Sequence, residues 1–236
     1  MIAGADGFAP QLGALRSIAE MAVIYEAQLQ PSKIELLRDW VSAQPWLGDS
    51  DASTFESVGA YRFDDPEGEV GIETHLLRAA DGKLIQVPVT YRGAPLIGAE
   101  TSLITTVQHS FLGKRWVYDA CGDPVYARTL AATILTGGTQ ADLELTTETG
   151  TERHVSTTQV WGSGVSDAAV PTVTSVTNVN EESRALIVAG DLQLVVLRTI
   201  VNEKESLLAD SQTLLGTWPG HDVPSLLAFA LGHGSA

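Results

Sequence analysis

The sequence predicts an α+β fold in which an antiparallel sheet with a packed helix is followed by a second, smaller antiparallel sheet. Three observations carry this. Short runs of alternating or β-branched apolar residues recur along the chain, each bounded by Gly, Pro, Asn or Asp. The links between them are mostly hairpin-length, as in a meander. In the first half, helical periodicity with a start signal occurs twice, after Ser32 and after Asp123.

Taken in order, residues 1–20 lack a long apolar core and read as a flexible extension, with a short helix over Leu12–Glu20; Met21 is an alternative start. Ala22–Leu29 reads as a strand stopped by Pro31. Ser32 and Glu35 stand in capping-box register, and Ile34, Leu37, Trp40 and Val41 recur at helical spacing to face a sheet. Gln44-Pro45 ends that helix, and Trp46 reads with Trp40 as a core anchor rather than a sugar platform. Phe55–Phe63 and Val70–Leu77 are strands joined by Asp64-Asp65-Pro66-Glu67-Gly68-Glu69. The acid spacing there does not fit a calcium loop, so a turn with solvated carboxylates is expected. Ala80–Lys83 turns the chain into a strand over Leu84–Arg92, stopped by Gly93-Ala94-Pro95. Leu103–Phe111 and Arg115–Tyr118 form a hairpin about Leu112-Gly113-Lys114. Asp123 caps, and Pro124 opens, a helix over Val125–Leu135.

Thr136–Thr139 marks a boundary, giving segments 1–20, 21–138 and 139–236. Beyond it, Asp142–Thr147 and His154–Trp161 read as strands, followed by Thr172–Val179, Ala185–Val188 and Leu192–Ile200. Glu203–Leu215 reads as an acidic helix and Pro224–Leu231 as a terminal apolar segment.

The 236 residues carry 14 basic and 29 acidic side chains, a net charge of −15. That charge disfavours nucleic acid and anionic membrane as partners. With 44% hydrophobic residues, length is ample for a core. A single cysteine, Cys121, excludes an internal disulfide and fits a reducing, cytoplasmic setting. No run is long enough to span a bilayer.

The runs Thr90–Leu96 (TYRGAPL) and His109–Val125 (HSFLGKRWVYDACGDPV) resemble the N-terminal cap domain of actinobacterial maltokinases. Shorter matches at Met21–Ile24, Pro31–Leu37, Gln44–Trp46 and Arg62–Gly71 extend the resemblance over roughly Met21–Leu135. It implies a cystatin-like cap, a curved sheet with a helix on it, and does not by itself imply phosphoryl transfer. Residues 175–230 more weakly resemble a kinase N-lobe. There Asn178–Arg184 stands as the nucleotide-loop hairpin and Leu192–Arg198 as the strand that presents the phosphate-binding lysine. Val195 occupies the lysine's place and cannot pair with phosphate; Lys204 and Glu205 are out of register. No catalytic-loop segment follows before Ala236, so an intact kinase is not expected.

Other chemistry fares no better. His109, Asp119, Cys121 and Asp123 lie close in sequence but lack a zinc spacing, and a structural His109–Asp119 contact across the hairpin is the better expectation. Cys121 has only His109 as a conceivable base. Gly162-Ser163-Gly164 lacks the outer glycines of a hydrolase elbow. No catalytic, metal or cofactor residues are assigned. Tyr91, Arg92, His109, Arg115 and Tyr118 are the candidate partner or ligand surface, because Arg and aromatic residues concentrate at hot spots. The competing expectation places Trp116 with Tyr91 or Tyr118 in the core and pairs the arginines with acids. The sequence thus points to a non-catalytic interaction or regulatory module. Its partner would be a kinase-like or glucan-metabolism enzyme; a degenerate or split sugar-kinase subunit and a small-molecule carrier stand as alternatives.

Overall fold

The computed structural model describes residues 23–24, 32–110, 112–147, 150–154, 156–201 and 211–231. The expected helix at Leu12–Glu20 lies outside these residues. So does the expected Ala22–Leu29 strand, apart from β1 (Val23–Ile24).

Alternation along the chain becomes alternation of faces in the first sheet. Helix α1 (Lys33–Ser42) begins at a complete capping box between Ser32 and Glu35. Strands β2 (Glu56–Phe63), β3 (Gly71–Arg78) and β4 (Leu84–Arg92) form the meander. The hairpin β5 (Leu103–His109) and β6 (Gly113–Asp119) then joins through β6, giving the order β2-β3-β4-β6-β5. One face packs on α1: Leu36, Leu37 and Val41 meet Phe55, Leu77, Ile85, Val87, Val89 and Val117, with Trp46 buried among them. Trp40 and Trp46 are 6.0 Å apart with tilted rings, as core anchors. The other face, with Tyr61, Phe63, Ile72 and Leu76, packs on α2 (Pro124–Thr136).

The acidic turn before β3 keeps Asp64, Glu67 and Glu69 exposed as expected, and departs from the expectation of solvated carboxylates at Asp65. Asp65 is buried and accepts the backbone N–H groups of Glu67, Glu69 and Val70, and Arg128 of α2 pairs with it at 3.2 Å. A carboxylate so supplied with donors organises the loop instead of decorating it.

The second half contains strands and no helix among the described residues. A small three-stranded sheet joins β1 to β7 (Leu143–Thr147) in parallel and β7 to β8 (Gly150–His154) in antiparallel fashion. The larger antiparallel sheet is built from β9 (Gln159–Gly162), β10 (Thr177–Glu181), β11 (Arg184–Ala189) and β12 (Leu192–Leu197). After the two-residue β13 (Thr199–Ile200), it is completed by β14 (Gln212–Trp218) and β15 (His221–Ala230), in the order β10-β11-β12-β15-β14-β9.

Three expectations need correcting here. The expected strand His154–Trp161 is cut in two, its ends serving different sheets. The expected strand Leu192–Ile200 breaks at Arg198, and β13 leaves the second sheet to pair with Leu84 and Ile85 of β4. The expected helix Glu203–Leu215 falls partly outside the described residues, and from Gln212 onward the chain is strand. Its leucines suggested a helix, yet Thr213, Leu214, Leu215 and Thr217 belong to a hairpin that turns at Pro219-Gly220. Gly220 has φ +76°, and Trp218 stacks on His221 at 4.4 Å across the turn.

Helix α2 is buried on several sides, which explains why it is apolar almost all round. Tyr126, Leu130 and Ile134 share one core cluster with Ile72 and Leu76 of the first sheet and with Ile187, Leu194, Leu214 and Leu227 of the second. Its C-terminus docks on Gly162-Ser163-Gly164. The N–H of Gly164 bonds the Ile134 carbonyl at 2.9 Å, and that of Val165 bonds the Leu135 carbonyl at 3.0 Å. Those carbonyls are among the orphans of a helix end. A Cβ on Gly162 would collide with the Thr133 carbonyl oxygen, and one on Gly164 with that of Leu135. The motif's glycines are therefore a backbone-to-backbone seat.

Gly162→Ala and Gly164→Ala are expected to lower stability by about 2–3 kcal/mol each, as overpacking against a backbone that cannot retreat. Gly220→Asn, at an open left-handed turn position, should change it by less than about 1 kcal/mol. Urea midpoints of the three variants decide this; alanines that are as neutral as the Asn control would remove the seat.

Candidate functional site

Because neighbours on a strand face opposite ways, the five candidate residues do not form one patch. Tyr91, His109 and Arg115 lie on the α1 side of the first sheet; Arg92 and Tyr118 lie on the α2 side.

On the α2 side the groups are spent on internal bonds. Asp123, the N-cap of α2, accepts from the Val125 N–H at 2.9 Å, the Thr90 hydroxyl at 2.8 Å, and Arg92 Nε and Nη2 at 2.7 Å each. This bond to Asp123 raises the guanidinium pKa of Arg92 despite its partial burial. Tyr118 is buried, and its hydroxyl accepts the Leu96 N–H at 2.8 Å. Trp116 is only half-buried, with the Lys114 ammonium 4.9 Å above its ring, so it is not the core anchor that the sequence suggested.

On the α1 side a polar cluster forms beside the apolar core. Glu73 of β3, absent from the sequence-derived candidates, accepts from Lys33 Nζ at 2.6 Å and lies 3.5 Å from His75 Nε2. Burial works against its ionisation, but His75 and Lys33 outweigh it and hold the carboxyl well below its usual range. Tyr91 packs beside it with Lys33 5.7 Å from its ring; burial first, and the Glu73 carboxylate second, push its phenol well up. Arg115 has a buried Nε without a partner among the described residues, and an added Cβ on Gly93 would stand 2.8 Å from its Nη1. The arginine thus lies across that glycine. His109 does not face Asp119: its cross-strand partner is Gly113, whereas Asp119 is at the hairpin's other end. Its Nδ1 instead accepts the Leu112 N–H at 3.1 Å, and burial, Arg115 and Lys33 all lower its pKa.

Arg198 and Asp119 form the third polar feature, at the seam of the two sheets. β4 gives one edge to two strands laid end to end: β13 at Leu84–Ile85 and β6 at Val89–Arg92. Arg198, fully buried, bridges the interval. Its carbonyl takes the Gln86 N–H, and its Nη2 donates to Asp119 at 2.5 Å and to Asn180 at 3.0 Å. Burial opposes its charge, but Asp119 outweighs burial and raises the pKa further. The guanidinium also lies 5.4 Å from the Trp46 ring. Gln86 completes the seam by donating to the carbonyls of Leu197 and Leu227 while accepting the Tyr61 hydroxyl.

These arrangements are scaffold chemistry. Cys121 is buried, and burial pushes its thiol well up, away from the thiolate a nucleophile requires. No group of three metal-ligating side chains occurs among the described residues.

Residues 40–123 match the maltokinase N-terminal cap domain. The matched span starts in α1, contains all of β2 to β6 and ends at Asp123, the cap of α2. That span of the chain is thus similar to a maltokinase cap domain, and it is narrower than the Met21–Leu135 span of the sequence motifs. None of the curated proteins matches the chain.

Arg198 escaped the sequence reading because it is one charge inside an apolar run, and Glu73 because its partner Lys33 stands 40 positions away. In Leu192–Val201 the interruption itself was the signal: a lone Arg among apolar residues marks either a buried ion pair or a strand break, and here it marks both.

Asp119→Ala is expected to cost about 3–5 kcal/mol, since it leaves a buried charge unpaired, whereas Asp119→Leu with Arg198→Met should cost less than the sum of the single changes. Additive losses in a double-mutant cycle would refute the pairing. Glu73 yields a pH prediction. Its carboxyl pKa is lower in the folded chain than the ordinary 4.5, so its stabilisation is full above the unfolded value and declines as pH falls toward the folded one. Between about pH 5 and 3 the wild type should therefore lose urea stability more steeply than Glu73→Gln. Parallel curves would contradict the assigned direction.

Proposed function

We propose that the chain is a non-catalytic, cap-bearing interaction or regulatory protein linked to maltose, trehalose or α-glucan metabolism. The link rests on the cap-domain match. The observation that carries the non-catalytic reading is how the matched motifs spend their polar groups. Arg92 and Thr90 go to Asp123, Tyr118 goes to Leu96, and Asp119 goes to Arg198 and the Cys121 N–H. Such a motif builds a rigid sheet-to-helix junction and leaves surface residues to do the recognising. Val195 agrees with this. It stands where a kinase N-lobe would carry its phosphate-binding lysine, is 7% exposed, and has Leu186 and Phe229 as its cross-strand neighbours.

A second reading, a degenerate or split sugar-kinase subunit completed by another polypeptide, is supported by the successive hairpin pairing of β10, β11 and β12. The carrier reading needs a retained metabolite.

Tagged full-length protein captured from its own host's extract is expected to recover a kinase-like or glucan-handling enzyme in stoichiometric amount. The purified protein alone should neither bind ATP nor transfer phosphate to maltose. Phosphate transfer by the protein alone would overturn the proposal, and ATP binding only together with a recovered kinase lobe would favour the split subunit. A co-purifying metabolite with no protein partner would favour the carrier.

A further inference from the structure

The two larger sheets end in four edge strands among the described residues, and they differ. The outer side of β9 is bridged, Trp161 to Thr139. β2 carries Glu56 and Arg62 and a bulge, and its Arg62 carbonyl is taken by the Ala141 N–H. β10 is short and carries Glu181, while its Asn180 side chain is held by Arg198. β5 has none of the charged side chains or prolines by which edges usually resist strand pairing: it reads Leu-Ile-Thr-Thr-Val-Gln-His. It pairs with β6 on one side, and on the other it makes no strand pairing among the described residues. Thr106 and Gln108 are exposed along it, as is Leu103 at its start.

The charge around this edge runs against that of the chain. Residues 101–118 contain no Asp or Glu, while Lys114 and Arg115 stand on β6 directly behind the edge, within a chain of net charge −15. Lys114 aligns with Gln108 and Arg115 with Val107, so the two cations lie on opposite faces of the sheet. An added strand would lie about 10 Å from β6, two strand spacings away, and its alternate side chains would project to both faces. The exposed Lys114 side chain is long enough to cover much of that distance, whereas Arg115 is laid across Gly93 on the β4 side of β6.

We propose that the β5 edge receives an extended, carboxylate-bearing segment of a partner protein by strand addition. Backbone pairing to residues 103–109 supplies the binding, and exposed Lys114 selects for acids on its own face of the added strand. A second copy of the chain is the poorer occupant. Its own edge would bring Lys114 toward its counterpart across the seam, between two bodies that each carry −15. This inference rests on the interaction-module reading and names the chemistry of the partner.

The probes are labelled peptides of about eight residues, a strand's length, alternating Val with Glu, Ser or Lys. With the full chain, the Glu peptide should bind best and slow amide exchange over residues 103–109. Thr106→Glu with Lys114→Glu, both at exposed positions, should weaken that binding at least about tenfold, and so should raising the salt to about 1 M. Unchanged urea midpoints show that the variant folds. Equal binding of the three peptides, no binding of the Glu peptide, or protection elsewhere would each overturn the proposal. So would a homodimer that sedimentation shows to be dispersed by the same substitutions. Extract capture with the double variant separates the two readings. A partner lost relative to wild type supports both, and a partner retained keeps the module and sinks the edge. If neither protein recovers a partner, the module reading falls, and the peptide measurement alone decides the edge.

Discussion

One backbone edge holds the two halves of this protein together. β4 is covered on one side by β3 along its whole length, but its other edge is shared between β13 and β6. Strands laid end to end leave an interval where backbone groups face neither, and buried groups of that kind are costly. The chain fills the interval with Arg198 and Gln86. Each uses main chain and side chain together, and Asp119 neutralises the charge that Arg198 brings into the core. The break in the apolar run at Arg198 is what allows β12 to stay in one sheet while β13 enters the other.

Helix α2 follows from the same constraint. Once β13 ties the second half to the first sheet, the space between the sheets needs a filler that is apolar on several sides, and α2 supplies it. Both of its ends are tied to backbone. Asp123 caps the start while clamping Arg92 and Thr90, and Gly162 and Gly164 seat the finish. The two halves distinguished by sequence thus share one core. Residues of the family motif that invite a catalytic reading are the ones holding this junction closed.

The first sheet was largely legible in sequence. Capping residues, turn glycines and period-two runs act locally, so Ser32, Asp123, Ala80–Lys83 and Leu84–Arg92 sit where local rules put them. The α+β class held for the same reason. What was not legible depends on distant partners. The run Leu192–Ile200 reads as one strand because nothing nearby announces that two sheets compete for it. Asp65 reads as a solvated acid because Arg128, 63 positions away, is invisible from its loop. The candidate surface suffered likewise: Tyr91 and Arg92 are neighbours in sequence and on opposite faces in the sheet. Glu73, which organises the polar cluster on one of those faces, carried no local mark.

Edges obey a different logic from cores. A core position is constrained by what it touches, so its residue type can be explained from inside the molecule. An edge strand is constrained by what it must not touch, and the usual constraint is visible as charge, proline or cover. β2, β9 and β10 show such devices, and β5 shows none among the described residues. For a chain of this acidity, carboxylates on β5 would have been the simplest protection, yet residues 101–118 carry none and place the exposed Lys114 behind the edge. An edge left bare and given the opposite charge to the rest of the surface is suited to pairing with an acidic strand and ill suited to pairing with itself. That combination is a chemically specific feature of the first half of the chain.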